Sequence, residues 1–346
     1  MSKSKKKNFS YLSLKKKVGL FYLQLHITPN CNLRCKHCYE DFTATNYDDL
    51  LKSKEIFKII DEFSDFLDII DMRGKIYFTG GEPILDPNLL RYIAKASNLN
   101  LITMLLSNGT LIDDLKAREL RDVGTNIVQI SLDGLEDTHD FIRGNGNFKK
   151  ATLGLDNCNN VGINTTVMTT LSRLNASEIE GLIQHCIKHN VNRISFGRLV
   201  PTGNGAHLFD QLLTNQELLH LFKKLKRLRK KYKNSIFFAF HDPIWTTFLK
   251  IKNTHGCSAG ISGICIIENG DIMPCRRLDL PIGNIRENSL IEIWNTRYLR
   301  HFRKRDNFQG KCKNCKHLKR CGGCRAIAKA LHKSEFSEDP QCFLIK

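Results

Sequence analysis

Three thiols within eight residues, Cys31-Asn-Leu-Arg-Cys35-Lys-His-Cys38, are the first place in this sequence where chemistry could happen. A loop that short can wrap one metal centre. A tetrahedral zinc ion needs a fourth ligand there, which His37 or His26 could supply. A four-iron cubane normally takes four cysteines, so three would leave one iron open to a substrate-like ligand. A second set lies in the tail: Cys257, Cys265, Cys275, Cys312, Cys315, Cys321, Cys324 and Cys342. These make two full sets of four, and a pair of zinc sites is their plain structural reading. Cys158 and Cys186 fall in helical stretches and read as core thiols.

Composition narrows the setting. The chain has 346 residues and 13 cysteines, enough length for one large domain or two ordinary ones. The cysteines do not form a disulfide framework, because the chain is long and its thiols are bunched. Its start, Met1-Ser-Lys-Ser-Lys-Lys-Lys, is no secretory signal. No apolar run reaches the ~18 residues of a membrane span. A cytoplasmic location is therefore expected. The net charge of +18 is concentrated in the N-terminal lysines, in Lys223 to Lys233 and around Arg300 to Arg325. Such a balance suits nucleic acid, an acidic peptide or an anionic cofactor. For the N-terminal lysines the solvated-face reading is preferred.

The elements that would position the first trio follow from periodicity. Short apolar strands are predicted at Phe21–Thr28, Lys75–Thr79, Leu101–Leu106, Asn126–Leu132, Ile163–Thr170 and Arg193–Val200. Helices are predicted near Ser53–Ile70, Asn88–Ser97, Asp113–Asp122, Lys149–Asn159 and Ala176–His189, with Asp113 and Asn175 as N-caps. That alternation implies a parallel sheet with right-handed crossovers, either doubly wound or a partial barrel. Ligands gather at the C-terminal strand ends of both. The trio lies there, as do Gly80-Gly-Glu-Pro83, Ser107-Asn-Gly109 and Asp133-Gly134. Thr214–Tyr232 reads as a basic amphipathic helix and Ile236–Phe240 as a further strand. From about His255 the chain is rich in glycine and cysteine.

With these residues in view, the chain resembles the radical S-adenosylmethionine (SAM) superfamily. The resemblance rests on the CX3CX2C trio followed by Tyr39, on Gly80-Gly-Glu-Pro83, and on Ser107-Asn-Gly-Thr110, Ser131-Leu-Asp-Gly134 and Arg198-Leu-Val-Pro-Thr-Gly203 at later strand ends. The tail resembles the SPASM extension of that superfamily, which carries auxiliary [4Fe-4S] clusters. Cys257 stands before Gly270-Asp-Ile-Met-Pro-Cys275, and Cys312-x2-Cys315-x5-Cys321 follows, closed by Cys342. Cys321-Gly-Gly-Cys324 departs from the commoner three-residue spacing and looks like a subset that includes haem-biosynthesis and some peptide-modifying members.

The resemblance implies a partial (β/α)6 TIM-like barrel followed by a small cysteine-rich domain. Residues 1–19 are expected as a basic tail, 20–235 as the radical SAM core and 236–346 as the auxiliary-cluster domain. It also implies that Cys31, Cys35 and Cys38 hold a [4Fe-4S] cluster whose open iron chelates SAM. Gly80 and Gly81 would let backbone carbonyls approach the methionine ammonium, with Glu82 beside them and Pro83 stiffening the turn. Ser131 and Asp133 would meet the ribose, though for Ser131 a simple strand-end turn is an equal alternative. Ser107 and Asn108 could line the same pocket, and Asn108-Gly109 is also a common turn dipeptide. Arg143 could meet the SAM carboxylate, a substrate anion or only a surface partner. One auxiliary cluster would take Cys257, Cys265, Cys275 and Cys324, with Cys265 its weakest member. The other would take Cys312, Cys315, Cys321 and Cys342. His26 and His37 read as structural.

The implied activity is reductive cleavage of SAM to a 5′-deoxyadenosyl radical that abstracts a substrate hydrogen. Maturation of a ribosomally made peptide or protein is the leading expectation. About twenty residues precede the first strand, so a leader peptide would need a direct groove or a separate leader-binding protein. Flavodoxin or ferredoxin would be the electron donor. The alternative is haem, tetrapyrrole or other redox-cofactor biosynthesis, in which basic side chains meet propionates. A nucleic-acid substrate ranks third, since no RNA-binding module is visible. A non-catalytic zinc-binding module is the reading from another class.

Overall fold

A computed structural model of the protein describes residues 19–40, 47–251 and 256–344. The expected basic tail lies outside the described residues apart from Gly19. The first strand, β1 (Leu20–Thr28), leads to helix α1 (Ser53–Ile70). Then come β2 (Arg73–Gly80), α2 (Leu89–Asn98), β3 (Ile102–Ser107), α3 (Asp114–Asp122) and β4 (Ile127–Ser131). Two helices, α4 (Glu136–Arg143) and α5 (Asn147–Asn160), precede β5 (Asn164–Leu171), α6 (Ile179–Lys188) and β6 (Arg193–Arg198). The basic helix α7 (Asn215–Lys231), β7 (Phe237–Phe240) and α8 (Pro243–Phe248) follow. The cysteine-rich part adds β8 (Gly263–Ile266), β9 (Ile272–Met273), α9 (Leu290–Trp294), α10 (Arg297–Lys304) and α11 (Arg325–His332).

One sheet runs through the molecule in the order β7-β6-β5-β4-β3-β2-β1-β8-β9. Every neighbouring pair from β7 to β8 is parallel, and only β8 and β9 are antiparallel. Consecutive strands joined through helices give the expected opened (β/α)6 barrel, and the later segments extend both of its edges. No helix among the described residues is long and apolar enough to cross a membrane.

Strand alternation sets the two faces. On β1, Phe21, Leu23 and Leu25 are wholly buried under the helical layer, while Tyr22, Gln24 and His26 point to the barrel interior. Helix α1 answers with Ile56, Ile59, Ile60, Phe63, Phe66, Leu67 and Ile70. Each such side chain contributes roughly 1.5–3 kcal/mol by leaving water. The Phe21 ring meets Phe66 at 5.2 Å and Trp294 at 5.0 Å, both edge-on, so a residue of the tail completes the core of the barrel. A second tie is polar. Arg198, ending β6, is buried between Asp242 at 2.6 Å and Asp339 at 2.7 Å.

Two expectations about helix starts part ways. Asp113 caps α3, accepting from the Lys116 amide at 2.7 Å. Asn175 does not cap α6, whose N-cap is Glu178. Its side chain instead accepts from Ser172 N and donates to the carbonyls of Thr170 and Asp133. It pins the β5 end to the β4 end, a non-local use that a local pattern does not reveal. Helix α4 was not foreseen, although Glu136 and Asp137 in its first turn suit a helix N-terminus.

Candidate functional site

The trio sits on the loop after β1, at the C-terminal rim of the barrel. Cys35 is 7% exposed, and Cys31 and Cys38 are half-buried. The loop is held from three sides. Cys38 N donates to Cys35 O at 3.2 Å within it. From the β6 side, Gly205 N donates to Cys38 O at 2.8 Å, Asn204 N to Glu40 O, and Asn204 Nδ2 to Cys35 O at 2.9 Å. From α4, Ile142 O accepts from Lys36 N at 2.9 Å.

Gly80-Gly-Glu-Pro83 closes on the same loop. Gly81 N donates to Thr28 O and Glu82 N to Asn30 O. A Cβ at Gly81 would lie 2.4 Å from Asn30 O and 2.6 Å from Pro29 O, so only glycine lets the two backbones touch. Gly80 has φ +139°, a conformation that an L side chain rarely adopts. The Glu82 carboxylate is wholly buried. It accepts from Ser107 Oγ at 2.8 Å, Asn108 N at 2.7 Å and Ile84 N at 3.3 Å. Burial outweighs these donors and pushes its pKa up to about 7. Asn108 Nδ2 in turn donates to Asn32 Oδ1 at 2.8 Å, inside the cysteine loop. Glu82, Ser107 and Asn108 therefore form one clamp across β2, β3 and the trio.

Asp133 anchors a second clamp. Its buried carboxylate lies 2.7 Å from His37 Nε2 and 2.5 Å from Arg143 Nε, and accepts from Thr170 N at 2.6 Å. Burial opposes its charge, but Arg143 and His37 outweigh burial and hold its pKa far below the usual carboxylate range. Arg143 Nη1 stands 3.8 Å from Cys35 Sγ. The residue is thus in a buried ion pair, facing the trio. Ser131 ends β4 half-buried. His26 is fully buried, 3.4 Å from Glu40, which also pairs with Arg276. Burial raises the Glu40 pKa, yet those two partners bring it down to about 2.

In the tail, Cys324 packs with Cys257 and Cys275 in one small apolar cluster. Cys265 lies on β8, buried, opposite Met273, and the charge of Cys275 is felt there. Cys312, Cys315, Cys321 and Cys342 line one cavity with Gly322, Gly323 and Asp339. Cys257 N donates to Cys321 O, so the two groups adjoin. Asp339 Oδ2 accepts from Cys324 N at 2.7 Å while gripping Arg198. Arg325, 1% exposed, has Nη2 4.0 Å from Cys312 Sγ. Neither Asp339 nor Arg325 was singled out from sequence, because nothing local marks them.

Donor chemistry fits an iron–sulfur group at the rim. All 13 cysteines are free thiols. Burial raises the pKa of Cys31 and Cys35, and pushes Cys38 up to about 12, so each keeps its proton until a metal displaces it. Among the described residues no three His, Cys, Asp or Glu side chains close around one point as ligands of a single ion do. A cubane takes its cysteines on separate irons.

Such a rim on an opened parallel barrel defines a class of enzymes built around a cysteine-held cluster. The pattern of the radical SAM superfamily matches residues 25–186, and that of an iron–sulfur cluster-binding domain, SPASM, matches residues 257–316. The AdoMet-dependent heme synthase of Oleidesulfovibrio alaskensis is 31% identical, over 91% of this chain and 85% of its own. The sporulation killing factor maturation protein SkfB of Bacillus subtilis is 27% identical, over 84% of this chain and 67% of its own. The structure of anSMEcpe with bound AdoMet superposes with a TM-score of 0.73 at 20% identity, covering 93% of this chain and 94% of that one. The chain belongs to the radical SAM superfamily. It is an enzyme of that superfamily whose C-terminal region is a SPASM domain.

Proposed function

We propose that the enzyme cleaves SAM reductively at the rim and uses the radical on a haem-precursor porphyrin held in the barrel. The carrying observation is the trio loop clamped by Gly81, Glu82–Asn108 and Asp133–Arg143 at one end of an open barrel. In this reading Cys31, Cys35 and Cys38 hold a [4Fe-4S] cluster. When bound, that cluster supplies the electron that breaks a carbon–sulfur bond of SAM and frees a 5′-deoxyadenosyl radical. Gly80 and Gly81 keep the loop low enough for a cofactor to lie across it. The Glu82 carboxylate orients the Ser107 hydroxyl and the Asn108 amide. Asp133 fixes the Arg143 guanidinium beside Cys35, where its charge favours the thiolate. In the tail, Cys257, Cys265, Cys275 and Cys324 would hold one auxiliary cluster, and Cys312, Cys315, Cys321 and Cys342 another. Residues 20–235 would form the core and 236–346 the auxiliary domain.

The porphyrin reading is supported by the heme synthase relative, which aligns along almost the whole chain. A second reading, the peptide maturation put first by the sequence, has support from SkfB. One experiment separates them. The reconstituted enzyme is reduced anaerobically with SAM and either an iron porphyrin bearing four propionates or a cysteine-rich precursor peptide. The proposal expects the porphyrin to be consumed in step with 5′-deoxyadenosine. A mass change of the peptide alone, with the porphyrin untouched, would replace it with the second reading.

A further inference from the structure

Among the described residues, the far end of the barrel interior carries cations that make no ion pair. On β2, Ile76 and Phe78 are wholly buried under the helices, so Lys75 and Tyr77 face inward. On β6, Ile194 and Phe196 take the helical side, so Arg193 and Gly197 face inward. Lys75 Nζ lies over the Tyr77 ring at 5.7 Å, and the Arg193 guanidinium over the Phe237 ring at 5.2 Å. Among the described residues neither cation is in an ion pair. The carboxylate felt in this region, Asp242 beside Arg277, is engaged by Arg198 at 2.6 Å.

The two cations sit on strands separated by β3, β4 and β5 in the sheet order. They nevertheless share one space, because the sheet curls. Burial and the Arg193 charge both lower the proton affinity of Lys75. His241, just after β7, is accessible to solvent yet walled in by protein. Burial, then Arg193, Lys75 and Arg277, push its pKa down to about 4, so it is neutral at pH 7. Arg277 reaches the same interior, its Nη1 3.5 Å from where a Cβ of Gly197 would lie. Like charges facing one hollow repel each other unless an anion joins them. Phe237, 60% exposed beneath Arg193, adds an uncovered ring to the same wall.

Position completes the argument. Lys75 precedes Gly80 by five residues of extended strand, about 16 Å at the usual rise. A molecule reaching from the cysteine rim to these cations must be long and acidic at its far end. We propose that Lys75 and Arg193, backed by Arg277, form a carboxylate-binding site that holds the acidic arms of an extended substrate inside the barrel. This rests on the reading that the substrate occupies the barrel, and it assigns the residues that would meet propionates.

The test uses the cluster-loaded full chain and two probes, benzene-1,3,5-tricarboxylate and a metal-free porphyrin bearing four propionates. Binding is followed by calorimetry for the first and fluorescence for the second. Lys75→Met and Arg193→Met should each weaken the tricarboxylate about tenfold or more, the scale of a lost charge-assisted hydrogen bond. Arg193→Lys should retain much of the affinity, and added salt should weaken it. Cluster absorbance and iron content report that each variant is folded and loaded. No saturable tricarboxylate binding to the wild type, or equal binding to the Met variants, overturns the site. Tricarboxylate binding that depends on both cations, with no porphyrin binding, keeps the site and overturns the porphyrin reading instead.

Discussion

Asp133→Asn tests the second clamp most sharply. The substitution keeps the shape but removes a charge that faces Arg143 at 2.5 Å and His37 at 2.7 Å, with no exposure to water. Breaking one partner of a buried ion pair leaves the other uncompensated, at a cost of about 3–5 kcal/mol. At about 2 °C per kcal/mol for a chain of this size, the apparent melting temperature should fall by about 6–10 °C. Anaerobic calorimetry on the loaded enzyme reads this directly. Removing Arg143 as well should add little, since the charge it answers is already gone. The double variant Asp133→Asn/Arg143→Met should be less destabilised than the sum of the singles by roughly 1–3 kcal/mol. The part of the penalty that comes from the Asp133–Arg143 pair should also persist from pH 5 to 9, since the guanidinium stays charged throughout. Asp133 has a depressed pKa, so its contribution is complete above the ordinary carboxylate range and is lost only in strong acid. Strict additivity, or a penalty that disappears by pH 6, would refute the account of the clamp.

Two further outcomes follow from the first clamp. The Glu82 pKa is raised to about 7, so the group favours the folded state below about pH 4.5 and progressively loses that contribution as pH rises to 7. Glu82→Gln should therefore flatten stability against pH over that window by at most about 3 kcal/mol, as read from denaturant unfolding at several pH values; an unchanged slope would contradict the assignment. Gly81→Ala forces a methyl to within 2.4 Å of Asn30 O, which moves the trio loop against its neighbours. SAM cleavage should drop about 100-fold, the scale of an ångström-sized misplacement, with cluster absorbance retained. Near-normal turnover would show that the glycine is not needed for close approach.

Much of this architecture is visible in local sequence. Helix α1 spans Ser53–Ile70 as its apolar spacing predicts, and the capping pair Thr214 and Glu217 starts α7 where expected. The trio and the glycines are equally visible, since their signal is spacing along the chain. What stayed hidden depends on meetings between distant segments. Asn204 and Gly205 hold the trio from 160 or more residues away in sequence, and Arg198 reaches Asp339 across 141. Asp133 reads from its motif as a residue that would meet the ribose, yet tertiary packing buries its carboxylate between a histidine and an arginine. The cations of the interior were hidden for a related reason. Lys75 and Arg193 look like ordinary charges at strand starts until the curl of the sheet turns them toward one another.

The central claim is that the trio on the β1 loop carries the chemistry. Cys35→Ala, reconstituted with iron and sulfide and reduced anaerobically with SAM, tests it through 5′-deoxyadenosine quantified by chromatography. The account predicts no 5′-deoxyadenosine above the enzyme-free background, with the tail clusters still loaded. Undiminished 5′-deoxyadenosine formation in that variant would contradict it.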